Sequence, residues 1–178
     1  MKNVIDEFGL LIETSYFGNQ IISSKVDCIV NISVNPPHWF PGQYINFDPC
    51  IPHIHTVGTW YRSLKDDAAK YSYITEYFNT KLKLLSPNEW KLKLIDLCTQ
   101  IKQEYDDHTL VVLTCYESPG QFCHRLVFSV FIKLILEVEI LEFSNPMILD
   151  SDEAKFIERV LRTLIKSNGY ANIKDPIR

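Results

Sequence analysis

The sequence predicts an α/β fold, specifically a three-layer sandwich built on a small, mostly parallel, Rossmann-like sheet. Short apolar segments rich in β-branched residues alternate with longer segments of helical period, which is typical of parallel sheets covered by helices. Residues 110–113 are continuously apolar, as a strand buried on both faces should be. With 178 residues, the chain can build one full hydrophobic core. We therefore expect an α/β domain over residues 1–145 and a C-terminal helical extension, residues 146–178, packed on it.

The N-terminal half contains two predicted strands, residues 9–17 and 26–34, separated by a turn at Gly18. The second strand leads into a Pro-rich aromatic loop, 35–42, because proline lacks a donor and restricts the residue before it. Residues 44–55 carry more prolines and no period, so they are predicted to form an ordered loop. Apolar residues then recur at helical spacing and predict one helix, at Trp60, Leu64, Ala68, Tyr71, Tyr73, Tyr77 and Phe78.

The C-terminal half begins with a capping box, Ser86-Pro87-Asn88-Glu89, which predicts the start of a helix. The buried strand at 110–113 is followed by a turn at 118–120 and by a long apolar segment from Phe122 that predicts a buried helix. Residues 137–143 are predicted to form a final strand. A last helix begins near residue 151, with acidic residues at its start and Gly169 at its end.

Composition excludes several classes of protein. Hydrophobic residues make up 46% of the chain and charged residues 22%, which is ordinary for a globular protein. The net charge of −4 does not favour nucleic acid as a partner. No segment is long and apolar enough to cross a bilayer, so no membrane association is expected. Asp6 and Glu7 stand where a signal peptide would be apolar, so we expect a cytoplasmic protein.

Cysteine and histidine spacing does not predict a metal centre. The five cysteines include no C-x-x-C pair, which argues against a disulfide framework and against a zinc ribbon. His53 and His55 could place two imidazoles on one side of an extended segment, but no third ligand lies near them in sequence. We therefore predict no metal ligands, and the sequence does not reveal which cofactor, if any, the protein uses.

A polar cluster marks the predicted site. Cys115 and Glu117 follow the buried strand, and Cys123, His124 and Arg125 open the next helix, so all five fall in the crevice where open α/β sheets bind ligands. A helix N-terminus is partly positive and disfavours cations. His124 and Arg125 are explained if an anion completes the turn, either Glu117 or a ligand phosphate or carboxylate. The alternative is structural, with Arg125 paired to Glu117 and His124 packed as a half-buried ring.

Three segments of the chain resemble the uncharacterised domain of unknown function 488 family, which is common in bacteria and phages. They are Thr14-Ser15-Tyr16-Phe17, Ile32-Ser33-Val34-Asn35-Pro36-Pro37-His38-Trp39, and the Cys115-Tyr116-Glu117 and Cys123-His124-Arg125 pair. The resemblance covers roughly residues 9–143, and the tail from residue 146 looks like an addition. It implies an α/β fold and a shared pocket, but it implies no particular reaction.

The first functional hypothesis is a pocket at the C-terminal edge of the sheet that binds a nucleotide- or nucleoside-like anionic ligand, with or without chemical processing of it. Arg125 and helix N–H groups would hold the anion, Tyr16 and Trp39 would stack on a flat ring, and Glu117 would bond a sugar hydroxyl or act as an acid or base. For each aromatic residue the alternative is core packing. The expected ligand-binding residues are Tyr16, Trp39, Cys115, Gly120 and Arg125, and the expected catalytic residues are Glu117, Cys123 and His124.

Two further hypotheses remain open. Cys123 lies in a helix's first turn beside His124 and Arg125, an environment that lowers the pKa of a thiol and suits a nucleophile. Cys115 could serve instead, or could be a small buried apolar residue. The other hypothesis is a non-enzymatic, phage-type binder that sequesters a signalling nucleotide or grips a host protein. The sequence does not indicate the oligomeric state.

Overall fold

A parallel five-stranded sheet forms the centre of the molecule. The structure, a computed structural model, describes residues 8–40, 42–105, 109–118, 121–143 and 145–171. The sheet has the order β3-β2-β4-β1-β5, and all of its paired strands are parallel. The strands are β1 (Leu11–Tyr16), β2 (Cys28–Asn31), β3 (Ile45–Asn46), β4 (Leu110–Cys115) and β5 (Leu141–Glu142). The central strand β4 is buried on both faces, as its apolar sequence predicts.

Helices flank this sheet and complete the predicted three-layer α/β fold. They are α1 (Ile22–Lys25), α2 (Ile54–Arg62), α3 (Asp67–Thr80), α4 (Pro87–Glu104), α5 (His124–Leu136) and α6 (Asp152–Ser167). Short 3₁₀ turns connect them at Asp48–Cys50, Leu82–Leu84 and Pro146–Asp150. The helix α6 packs against α3 and α5, and it buries Ile157, Leu161 and Ile165 in the same hydrophobic core as the sheet. Among the described residues, no helix has the length and apolar character needed to span a membrane.

The predicted starts of α4 and α5 agree with the structure. The Ser86 hydroxyl accepts a hydrogen bond from the Glu89 backbone N–H at 3.3 Å, and the Glu89 carboxylate accepts one from the Ser86 N–H at 2.7 Å. These two bonds satisfy N–H groups that a helix leaves unpaired at its start. The helix α5 is buried along its first nine residues, which places its N-terminus inside the molecule.

The predicted helix over residues 60–78 is wrong, because two helices share that region. The helix α2 ends at Arg62, and α3 begins after Asp66, whose carboxylate accepts the Ala69 N–H at 2.8 Å. Lys65 between them has a φ of 59°, which no helix continues through. Leu64, assigned to the apolar face, is 90% exposed. A favourable N-cap therefore outweighs the apolar spacing.

Several predicted boundaries also differ from those observed. The second and last strands are shorter than residues 26–34 and 137–143, and the last strand begins only at Leu141 because Glu137 ends α5 in the left-handed region with a φ of 57°. The predicted loop 44–55 contains β3 and the start of α2. Asp6 and Glu7 lie outside the described residues.

Candidate functional site

The site forms where the carboxyl ends of β2 and β4 meet the N-terminus of α5. Cys115 is the last residue of β4, and Cys123 is the N-cap residue of α5, with an extended backbone. The two sulfur atoms lie 2.7 Å apart. Both cysteines are free and buried. The structure therefore brings together two thiols that are eight residues apart in sequence.

Glu117 joins these sulfurs from the loop. Its Oε2 lies 3.1 Å from the Cys123 Sγ and 3.5 Å from the Cys115 Sγ, and its Oε1 accepts the Tyr61 hydroxyl at 2.7 Å. Burial opposes ionisation of this carboxyl. The hydrogen bonds from Cys123 and Tyr61, together with the nearby His124, more than offset burial and hold the pKa of Glu117 below its ordinary value. Glu117 is thus an anionic acceptor at neutral pH.

The His124 ring is fixed by one backbone hydrogen bond. Its Nε2 lies 2.7 Å from the Ile32 carbonyl oxygen, which can only accept, so Nε2 carries the hydrogen. In the neutral ring Nδ1 then keeps its lone pair, and it lies 3.7 Å from the Cys123 Sγ. The imidazole is buried and meets the Tyr77 ring edge-on. A neutral ring held in this way would present an acceptor nitrogen to the Cys123 sulfur.

Arg125 does not face an open cleft, contrary to the prediction. Its side chain is 4% exposed, and its Nε donates to the Glu142 Oε2 at 2.9 Å. Its Nη1 donates to the Cys115 Sγ at 2.9 Å and to the backbone carbonyl of Glu117. Burial disfavours its charge, but Cys115, Cys123 and Glu142 more than offset this and raise the pKa of Arg125 above its ordinary value. The structural alternative is therefore observed, with Glu142 rather than the Glu117 side chain as the partner.

The environment of Cys115 does not favour a thiolate. Burial is the largest cause that raises the pKa of this thiol well above its ordinary value, and the hydrogen bond with Cys123 acts in the same direction. The nearby Arg125 and His124 lower it, but by less. Without a further positive charge, Cys115 is a neutral and poorly nucleophilic thiol.

A cavity of about 410 Å³ opens beside this cluster. Five of the residues that line it are aromatic, and we refer to Glu117, Cys123 and His124, which also line it, as its floor. The aromatic residues that line it are Trp60, Tyr61, Tyr73, Tyr116 and Phe122. The ring centroid of Phe122 lies 4.7 Å from that of Trp60 and 5.3 Å from that of Tyr73. Such a size and lining are typical of a small-molecule site.

The aromatic residues expected to stack on a ligand are not the ones that line this cavity. Trp39 is 62% exposed and contacts Phe40 edge-on, and neither Trp39 nor Tyr16 lines the cavity. Trp60 and Tyr61, in the last turn of α2 before it ends at Arg62, line the cavity instead. Gly120 lies outside the described residues. The sequence pattern predicts Trp60 to lie on the apolar face of a helix that continues to residue 78, whereas α2 ends two residues after Trp60.

A second cleft adjoins the cavity and shares Trp60, Tyr61 and Glu117 with it. Its lining includes two cations. Lys70 pairs with Glu153 at 2.8 Å, whereas the Lys65 amino group lies 5.6 Å from the centre of the Tyr61 ring. The adjoining cleft is therefore lined by two lysines together with the carboxylates of Glu117 and Glu153.

Four of the predicted site residues form a group that could hold a metal ion, whereas the sequence predicts no metal ligands among them. The ligand-type atoms of Cys115, Glu117, Cys123 and His124 all lie within 4.8 Å of one another. The signal is present as Cys-x-Glu-x₅-Cys-His, but the absence of a C-x-x-C pair obscured it. His53 and His55 belong to no such group among the described residues. The His53 ring caps α2, and His55 pairs with Glu76 at 2.9 Å.

Comparisons with family models, with curated proteins and with solved structures gave no significant match. The resemblance to the domain of unknown function 488 family therefore stays a prediction.

Proposed function

We propose that this protein binds a nucleoside-like molecule, with a flat ring that bears N–H donors, in the aromatic cavity above Glu117. The observation that carries the proposal is the combination of aromatic walls with an ionised carboxylate as the polar floor. Aromatic side chains bind flat rings over a large apolar area. A buried carboxylate accepts hydrogen bonds and so selects ligands that can donate them.

The charge distribution supports a ring, rather than a phosphate, inside the cavity. Of the described residues that line it, none is lysine or arginine, and Glu117 would repel an anion. A phosphate on the same ligand would lie in the adjoining cleft, where the Lys65 amino group lies 5.6 Å from the centre of the Tyr61 ring. In this proposal Lys65 takes the anion-binding role that the sequence analysis gave to Arg125.

Binding is tested by calorimetric titration of the protein with adenosine, guanosine, cytidine and uridine, and with their 5′-monophosphates. We expect one or more of them to bind in a one-to-one ratio. Val57→Trp should weaken that binding by at least about tenfold, because Val57 lines the cavity and a larger side chain fills it. Trp39→Leu is the matched control and should leave the affinity unchanged, since Trp39 does not line the cavity.

The polar floor is tested separately with Tyr61→Phe and Glu117→Gln. Glu117→Gln removes the negative charge and replaces one acceptor oxygen with a donor, so it should weaken a ligand that donates to this position. Lys65→Ala should weaken the monophosphate and leave the nucleoside unaffected. The proposal is wrong if none of the eight compounds binds at millimolar concentration, or if Val57→Trp binds as tightly as the original protein.

Chromatography of the equilibrated mixtures separates an enzyme from a binder. A new product that depends on the protein indicates catalysis. Intact ligand recovered after heating indicates sequestration without turnover.

A further inference from the structure

We infer that Cys115, Glu117, Cys123 and His124 form a zinc-binding site at the floor of the cavity. The site would take a divalent, thiolate-preferring metal ion through two sulfurs, one imidazole nitrogen and one carboxylate oxygen. The inference does not depend on the proposed ligand, because metal binding can be measured in its absence.

The donor atoms have the chemistry that zinc requires, all four lie within 4.8 Å of one another, and three of their distances are close to those of a zinc site. In a tetrahedral zinc site with bonds of about 2.0–2.3 Å, neighbouring ligand atoms lie about 3.3–3.8 Å apart. Here Oε2 of Glu117 lies 3.1 Å from the Cys123 sulfur and 3.5 Å from the Cys115 sulfur, and Nδ1 of His124 lies 3.7 Å from the Cys123 sulfur. The two sulfurs, at 2.7 Å, would separate by about 1 Å to fit such a site. Two sulfurs with one nitrogen favour zinc over magnesium or calcium.

The groups around the cluster are arranged as they are around metal ligands. The Ile32 carbonyl fixes the His124 tautomer and leaves Nδ1 to face the sulfurs. Arg125 donates an N–H to the Cys115 sulfur at 2.9 Å, a contact that stabilises a thiolate. Glu117 would bind through Oε2, and its Oε1 would remain bonded to Tyr61. Each thiol would lose its proton to solvent when the ion binds.

The position of the cluster gives this site a functional meaning. Glu117, Cys123 and His124 also line the cavity, so a bound ion would lie directly beneath a ligand in it. A zinc ion with an exchangeable position polarises a ligand oxygen or activates water, whereas a fully saturated one holds the loop in place.

The test uses the reduced full-length protein, freed of metal by chelation and titrated with Co²⁺ and then with Zn²⁺. We expect one Co²⁺ per chain, with the near-ultraviolet absorption of sulfur-to-cobalt charge transfer, and displacement of cobalt by zinc. Cys123→Ala and Cys115→Ala should each reduce that absorption and weaken zinc binding at least about tenfold. Cys98→Ala is the matched control, because Cys98 is buried in α4 away from the cluster, and it should leave both unchanged.

A second measurement does not depend on whether the variants fold. X-ray absorption at the zinc edge of the loaded protein should show two sulfur neighbours and lighter nitrogen or oxygen neighbours. A zinc shell without sulfur, an unchanged cobalt spectrum in Cys123→Ala, or a disulfide between Cys115 and Cys123 that forms in preference to metal binding would overturn the inference. Zinc binding without nucleoside binding would support this site and count against the proposed ligand.

Discussion

The buried Arg125–Glu142 pair makes a prediction that separates a structural arginine from a ligand-binding one. Removing the guanidinium with Arg125→Ala leaves the Glu142 carboxylate buried without its cation. The Thr14 hydroxyl, at 2.9 Å, would then be the only neighbour described as bonding the same oxygen. Breaking a buried pair on one side costs about 3–5 kcal/mol. We therefore expect the free energy of unfolding to fall by that amount, a large share of the stability of a domain.

A milder variant and a control make this measurable. Glu142→Gln keeps the size of the side chain and one acceptor oxygen but removes the negative charge. It should therefore lower the free energy of unfolding by about 1.5–3 kcal/mol. Replacing both residues, as in Arg125→Met with Glu142→Leu, should recover much of the loss because no unpaired charge is left buried. Lys93→Ala breaks a pair between exposed side chains, with 3.6 Å between the Lys93 Nζ and the Asp96 Oδ2, and it should change stability by less than about 1 kcal/mol.

The assay is equilibrium unfolding in urea followed by tryptophan fluorescence. The midpoint should shift while the slope of unfolding free energy against urea stays the same. If Arg125→Ala changes the free energy of unfolding by less than about 1 kcal/mol and instead abolishes nucleotide binding, the structural role of Arg125 is refuted. The same result would restore the anion-binding role predicted from the sequence.

Three smaller predictions concern stability away from the site. Ser86→Ala removes the capping hydroxyl of α4 and should lower the free energy of unfolding, measured in urea, by about 1 kcal/mol. A change near zero would contradict a stabilising cap. Gly169→Ala should lower the free energy of unfolding by about 1 kcal/mol, because Gly169 has a φ of 59° that a residue with a Cβ rarely adopts. No atom lies within 4 Å of the added carbon, so the expected loss comes from the backbone alone. An unchanged urea midpoint would show that the backbone relaxes. The hydrogen bond from His55 is the largest cause that lowers the pKa of Glu76 in the folded protein. The ionised Glu76 therefore stabilises the fold at pH values above the pKa of the unfolded carboxyl. This contribution is lost as the pH falls through the lower pKa of the folded state. Glu76→Gln should flatten thermal stability over that acidic range, and equal acid sensitivity of the two proteins would contradict this.

Much of the fold could be predicted because its signals are local. The apolar strand β4, the capping box of α4 and the apolar run of α5 each follow from a few neighbouring residues. The predicted helix over residues 60–78 failed because the Asp66 cap competes with an apolar period that has no tertiary support at Leu64. Short edge strands such as β3 carry too few residues to show a period.

The residues of the predicted site lie together in the structure, but their internal arrangement could not be predicted. The strand-to-helix position of Cys115 and Cys123 places them at one sheet edge, and the structure brings them together. The partner of Arg125 is Glu142, which is 17 residues away and belongs to an edge strand, so no local pattern reveals it. The cavity walls come from α2 and α3, whose packing on the loop is a tertiary property. The same long-range contacts bring together four side chains of metal-ligand type, which the sequence shows only as scattered residues.

The measurement that tests the central claim most directly is a crystal structure of the protein grown with the nucleoside that binds best. We expect ring density against the wall that Trp60 and Phe122 form together, with a ligand N–H or hydroxyl directed at the Glu117 carboxylate. Density at the Trp39 loop or beside Arg125, with the cavity free of ligand, would contradict the account.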